Sequence, residues 1–181
     1  MATLMRIVLL FAFMVTAPPS RGAEDALGTQ RIKAAFLYKF AAYVEWPPEA
    51  FVEADSPLVI GIAGADEMAA ELARAITGRK VGTRPMQVRR LAGTERVDAC
   101  CQILFIGAGN QDARRTELLG QAQGRPVLTV TEAPDVHPRG SVINFLVEDR
   151  VRFDIARDAA ERNGLQLRSQ LLAVARQVSS P

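Results

Sequence analysis

Two short apolar runs of strand length, LVIGIA at residues 58–63 and CQILFI at residues 101–106, limit the fold of this chain more than any other feature. A strand wetted on one face alternates apolar and polar residues, whereas a run without alternation has to be covered on both faces. Each run is followed by a turn and a helix-forming stretch. DEMAAELARAIT (66–77) has Asp66 near its start and Gly78 just past its end, and residues 110–122 have Asn110 as a candidate cap. Residues 85–91 and PVLTV (126–130) supply further strands. Strands alternating with helices build a layered α/β domain.

The flanks complete this architecture. TQRIKAAFLYKFAAYV (29–44) reads as a helix capped by Thr29, with Ile32, Phe36, Phe40 and Val44 recurring every four residues and Ala35 and Tyr43 widening the stripe. Trp46-Pro47-Pro48 ends it, because a residue before proline is forced out of the helical region. SVINFLV (141–147) and VRFDIA (151–156) form a hairpin around Glu148-Asp149-Arg150, with Val151, Phe153 and Ile155 on one side and Arg152 and Asp154 on the other. A short helix (156–162) stops at Asn163-Gly164, and a last helix is expected over 168–178. The late hairpin makes the sheet mixed. The expected fold is α/β, a three-layer sandwich with helices on both faces of a mixed, mostly parallel sheet and a late β-hairpin.

The N-terminus has a different design. Arg6 precedes nine apolar residues, Ile7 to Val15, and small and turn-forming residues follow up to Ala23. That order is the layout of a secretory signal peptide, and its apolar stretch is shorter than the roughly 20 residues a membrane span needs. Residues 1–23 are therefore expected to be a leader, cleaved somewhere between 17 and 23, and residues 24–181 one exported domain that does not span the membrane once mature. The leader carries Arg6 and Arg21 and no acid, so the full chain's excess of 22 basic over 20 acidic residues disappears on cleavage. Without a clustered basic surplus, nucleic acid is not an expected partner.

Catalytic chemistry finds little to work with. Gly61-Ile62-Ala63-Gly64 and Gly107-Ala108-Gly109-Asn110 sit at strand-to-helix turns, where phosphates bind helix N-termini. The second lacks the third glycine of a dinucleotide motif and has Asp112 there instead, which repels phosphate. His137, the only histidine, lies between Asp135 and Ser141, but a triad is a matter of geometry rather than of nearness in sequence. No catalytic residue, metal ligand set or cofactor is expected, and the chain is not expected to be an enzyme. Cys100 and Cys101 are adjacent where strand neighbours point to opposite faces, so a bridge between them would be strained. They are expected to be one buried and one exposed thiol, with an intermolecular disulfide or a redox-active vicinal pair as the alternatives. Tyr38 lies off the apolar stripe and Trp46 at its end, which makes both candidate anchors for a partner.

Three blocks together resemble the YfiR family of periplasmic regulators: KAAFLYKFAAYVEWP (33–47), CQILFIG (101–107) and SVINFLVEDRVRFDIARDAAERNGLQLRSQLLAVA (141–175). Trp46 and Pro47 match the family's helix-end signature. Asn144, Phe145, Arg152 and Phe153 match its late hairpin, and Ser169, Leu171 and Leu172 its last helix. The candidate partner-binding residues are therefore Tyr38, Trp46 and Pro47. The resemblance implies an exported, often dimeric, non-catalytic protein of the periplasm. Such a protein represses an inner-membrane diguanylate cyclase, or a related sensor kinase, through contact with its periplasmic region. It thereby lowers cyclic di-GMP and biofilm formation, and an outer-membrane lipoprotein can withdraw it. The alternative is a periplasmic domain that binds a small molecule and feeds a sensor or transporter. Cys101 matches a family cysteine that elsewhere can bridge to one near the first strand. Residues 58–80 contain no cysteine, so that internal bridge is missing here.

Overall fold

The computed structural model describes residues 21–97, 101–134 and 136–179. The expected leader lies outside the described residues up to position 20, and Arg21 opens the first helix. In chain order the elements are α1 (Arg21–Tyr43), β1 (Val44–Glu45), a 3-10 turn (Pro48–Ala50), β2 (Leu58–Ala63), α2 (Asp66–Ile76), β3 (Lys80–Val81) and β4 (Arg84–Leu91). They continue with β5 (Ile103–Ile106), α3 (Asp112–Ala122), β6 (Leu128–Glu132), β7 (Ile143–Val147) and β8 (Val151–Ala156). α4 (Arg157–Arg162), β9 (Gln166–Leu167), α5 (Ser169–Ala173) and β10 (Gln177–Ser179) complete the chain.

Eight strands form one sheet in the order β10-β8-β7-β6-β5-β2-β4-β3. β4, β2, β5, β6 and β7 run parallel. β8 returns antiparallel to β7, with Phe145 opposite Phe153, and β10 joins β8 in parallel. β3 is a two-residue antiparallel edge on β4, and β1 pairs with β9 apart from the main sheet. From β2 the chain moves to one side through α2 and β4, then crosses to β5 on the other. The direction of winding therefore reverses between β2 and β5.

Both faces of the sheet are covered, as the unbroken apolar runs require. Ile60, Ile62, Phe105 and Val130 share a core with α1 and α2. Leu104 and Ile106, which point the other way, pack with Leu118, Leu119 and Ala122 of α3. The first core contains a cluster of rings. Phe40 meets Phe153 edge-on at 5.0 Å, and Phe36 meets Phe153 at 5.3 Å. Such pairs add roughly 0.5–1.5 kcal/mol beyond their burial. The α/β sandwich, its mixed and mostly parallel sheet and the hairpin agree with the sequence expectation.

Four local expectations need correction. α1 begins eight residues before Thr29, so Thr29 is inside the helix and caps nothing. The apolar stripe of α1 is also rotated: Ile32 is 48 % and Tyr43 is 37 % exposed, while Ala34, Leu37, Phe40, Ala41 and Val44 are buried. A four-residue repeat drifts by about 40° per step on a helix of 3.6 residues per turn, so its ends leave the buried face. Asn110 does not cap α3, whose first residue follows Gln111. Its amide instead donates to Ala63 O at 2.8 Å and Gly107 O at 3.2 Å, tying the β5 turn to the end of β2. The last helix stops at Ala173, and the chain turns extended to form β10. Arg176 directs this change. Its amide donates to Phe153 O at 2.9 Å, and its guanidinium grips Asp154 at 2.8 and 2.6 Å.

Candidate functional site

Tyr38 lies on α1, one position off the buried face, and is half-buried. Its ring sits beneath the Arg79 guanidinium, whose carbon is 4.6 Å from the ring centroid. This is a cation–π contact that orients both groups. Arg79 is held from the other side as well, since its Nε donates to Ala75 O at 2.7 Å. The contact exists because α2 packs along α1 and ends at Thr77-Gly78, where Gly78 turns the chain at φ +71° and delivers Arg79 and Lys80 beside the tyrosine. Lys39, Tyr43, Val81 and Met86 complete a cavity of about 270 Å³.

Trp46 and Pro47 have a more structural placement. Trp46 is half-buried against the first core, and its indole N–H donates to Ala41 O at 3.5 Å. Pro47 precedes the 3-10 turn with φ −66° and ψ 152°, the geometry that proline fixes in advance. Both seal the end of α1, and neither lines the cavity at Tyr38. The sequence reading missed Lys39, Arg79 and Lys80. The available signal was the basic pair directly after Gly78, but only the packing of α2 on α1 brings that pair to Tyr38.

Cys101 is disulfide-bonded. β5 begins at Ile103, so Cys101 lies just before the strand and not at its start. Its sulfur is buried in the second core over Gly61, where a Cβ would come within 2.7 Å of Sγ. Cys100 lies outside the described residues.

The other candidate positions are occupied by structural bonding. Ser141 is buried. Its hydroxyl donates to Ile143 O at 2.7 Å and lies 2.8 Å from Thr131 Oγ1. His137 Nε2 donates to the Ser141 backbone carbonyl at 2.8 Å and not to its hydroxyl. Asp135 lies outside the described residues. Asn144, one of the hairpin residues, behaves like a length of backbone. Its Oδ1 accepts from Ala133 N at 3.0 Å and Thr131 Oγ1 at 2.9 Å, and its Nδ2 donates to Ala133 O at 2.9 Å. It closes the register between β6 and β7 where the ladder ends.

The two glycine turns meet where the winding reverses. Gly64 has φ +63°, and a Cβ on Gly107 would stand 2.7 Å from Ala65 Cβ and 2.9 Å from Gly64 O. The glycines thus let two loops pack on each other. A crevice of about 280 Å³ remains beside them, lined also by Gln30, Asp66, Glu67 and Glu132. Its carboxylates disfavour phosphate, and Asp66 and Glu67 already occupy the first turn of α2. Among the described residues no group of three His, Cys, Asp or Glu side chains is arranged to hold a metal ion. Nor is any helix among them long and apolar enough to cross a membrane.

No curated protein matches the chain. A family model described as YfiR/HmsC-like matches residues 30–176, from the third turn of α1 to the arginine just before β10. Because that match takes in every element of both cores, the chain belongs to the YfiR/HmsC-like family.

Proposed function

We propose that this protein is a periplasmic regulator that binds the exported region of an inner-membrane diguanylate cyclase, or of a related sensor, and holds it inactive. The observation that carries this reading is the family match over residues 30–176. The bonding of Ser141, His137 and Asn144 supports it, since each of these polar groups is committed to holding the hairpin in place. Regulation is then a matter of surface complementarity: binding shifts the cyclase towards an inactive conformation by the difference in affinity for its two states. Deleting the gene should raise cellular cyclic di-GMP and biofilm mass, and restoring it should reverse both. Unchanged cyclic di-GMP across several envelope-stress conditions would sink the reading.

The crevice between the β2 and β5 turns supports a second reading, a small ligand that tunes the regulator. Gln30 Oε1 is buried there and has no hydrogen-bond partner, so it can accept from a ligand donor. A ligand that binds the native state raises its melting temperature. A screen of small amines, amides and amino sugars that leaves the melting temperature unmoved counts against this reading.

A further inference from the structure

We infer that the cavity over Tyr38 receives an acidic segment of the partner protein, a stretch in which carboxylates flank an aromatic or apolar side chain. This rests on the partner-binding reading above and names the surface and the chemistry it recognises. Lys39, Arg79 and Lys80 all line the cavity, and no carboxylate does. The three side chains are exposed, and among the described residues none has a carboxylate partner. By contrast, Arg74, Arg114, Arg115, Arg162, Arg168 and Arg176 are all paired with acids. The local cationic excess is therefore not balanced within the described chain, and an incoming anionic group meets it uncompensated.

The form of the cavity narrows the occupant further. Its lining also includes Ala42, Val81, Met86 and the rings of Tyr38 and Tyr43, so a carboxylate alone would leave apolar surface uncovered. Volume and lining together match one large side chain inserted between flanking acids. Tyr38 and Arg79 are already fixed against each other, which lowers the entropy lost on binding. Beside the cavity, β3 is the end of the sheet, so Lys80 and Val81 pair with β4 on one side only. An extended segment can lie along that edge and hydrogen-bond to it through its own backbone.

The test uses the purified protein and two probes. One is the exported region of the membrane diguanylate cyclase encoded nearest the gene. The other is a fluorescein-labelled peptide of alternating Glu and Tyr, with its Gln-Tyr counterpart as control. The triple variant Lys39→Glu, Arg79→Glu, Lys80→Glu changes exposed side chains only, and its thermal melt verifies folding. Arg157→Glu reverses an exposed charge on α4 as a control. Both probes are expected to bind the wild type and the Arg157 variant, to weaken at least about tenfold with the triple variant, and to weaken as salt is raised. Equal binding of the cyclase region to wild type and triple variant overturns this inference and leaves the proposed function standing. Binding of the peptide but not of the cyclase region, lost in the triple variant, upholds the cavity's chemistry and removes that cyclase as the partner. Failure of the peptide to bind overturns the inference.

Discussion

Lys33 is enclosed in the first core at 1 % exposure, with its ammonium nitrogen 2.6 Å from Glu132 Oε1 at the end of β6. The pair joins α1 to the carboxyl end of the central sheet across 99 positions of sequence. Its two halves are unequal, because the Glu132 side chain keeps 23 % of its surface in water. Removing the acid strands a buried ammonium, whereas removing the base leaves a carboxylate that water can reach. Glu132→Gln should therefore destabilise by about 3–5 kcal/mol, Lys33→Met by clearly less, and the double change Lys33→Met, Glu132→Leu by least. Urea denaturation midpoints check the order. Equal losses from the two single variants would show that the burial asymmetry does not govern the pair.

Asn144 imitates a backbone amide by pairing with both polar groups of Ala133. Asn144→Ala leaves that N–H and C=O buried and unmatched, at about 1–3 kcal/mol for each group. Asn144→Asp retains the acceptor but turns a carboxylate towards the Ala133 carbonyl, so it should destabilise as well. Chemical denaturation of both variants measures this. A neutral Asn144→Ala would mean that water enters and satisfies Ala133.

Gly61 lies in β2 where a Cβ would meet Cys101 Sγ at 2.7 Å and Leu91 Cδ1 at 2.8 Å. The sulfur belongs to a disulfide and has little freedom to move aside. Gly61→Ala should cost about 1–3 kcal/mol through overpacking. Its effect should fall when the protein is reduced, because the released thiol can rotate away. A thermal melt with and without reductant reads both effects, and a cost that is the same in the two states would place the clash at Leu91 alone.

How far the sequence discloses this molecule depends on whether a feature is local. The runs at 58–63 and 103–106 carry their burial in their own composition, so the two-sided sheet could be read from them. The hairpin at 143–156 announces itself by alternation, since Val151, Phe153 and Ile155 are all buried. Lys33 is the opposite case. A lysine in a helix reads as a solvated residue, and only Glu132, 99 positions away, explains its burial. The end of α5 was equally hidden, because Ser169 to Val178 has helical composition and the pull of Asp154 on Arg176 is tertiary. Tyr38 could be singled out as lying off the stripe, but Arg79 and Lys80 reach it from the turn after α2 and from β3 and are gathered there only by packing.

Asp158 on α4 has its carboxyl held below the ordinary carboxylate range, first by the hydrogen bond from Arg162 at 2.6 Å. Its folded pKa is depressed, so the pair stabilises the protein above the unfolded carboxylate pKa. That contribution fades as pH falls from about 5 through the folded value. Asp158→Asn should therefore lower the melting temperature at pH 7, and the difference from wild type should shrink towards pH 3. A difference that stays constant over this range would show that the pair contributes through packing and not through charge.

Arg176 fastens the final strand with a two-pronged grip on Asp154, at 2.8 and 2.6 Å, and a longer bond to Glu148 at 3.3 Å. Lysine keeps the charge but cannot form two parallel bonds to one carboxylate. In Arg176→Lys the first link of β10 to β8, the amide of residue 176 on Phe153 O, should loosen while the core strands β2 and β5 stay intact. Hydrogen exchange tests this directly: the amides of residues 176–179 should exchange about tenfold faster, with Ile60 and Phe105 unchanged. Uniform acceleration across the sheet would mean that the C-terminal strand is part of the global folding unit, and unchanged exchange at 176–179 would mean that its backbone pairing holds without the arginine.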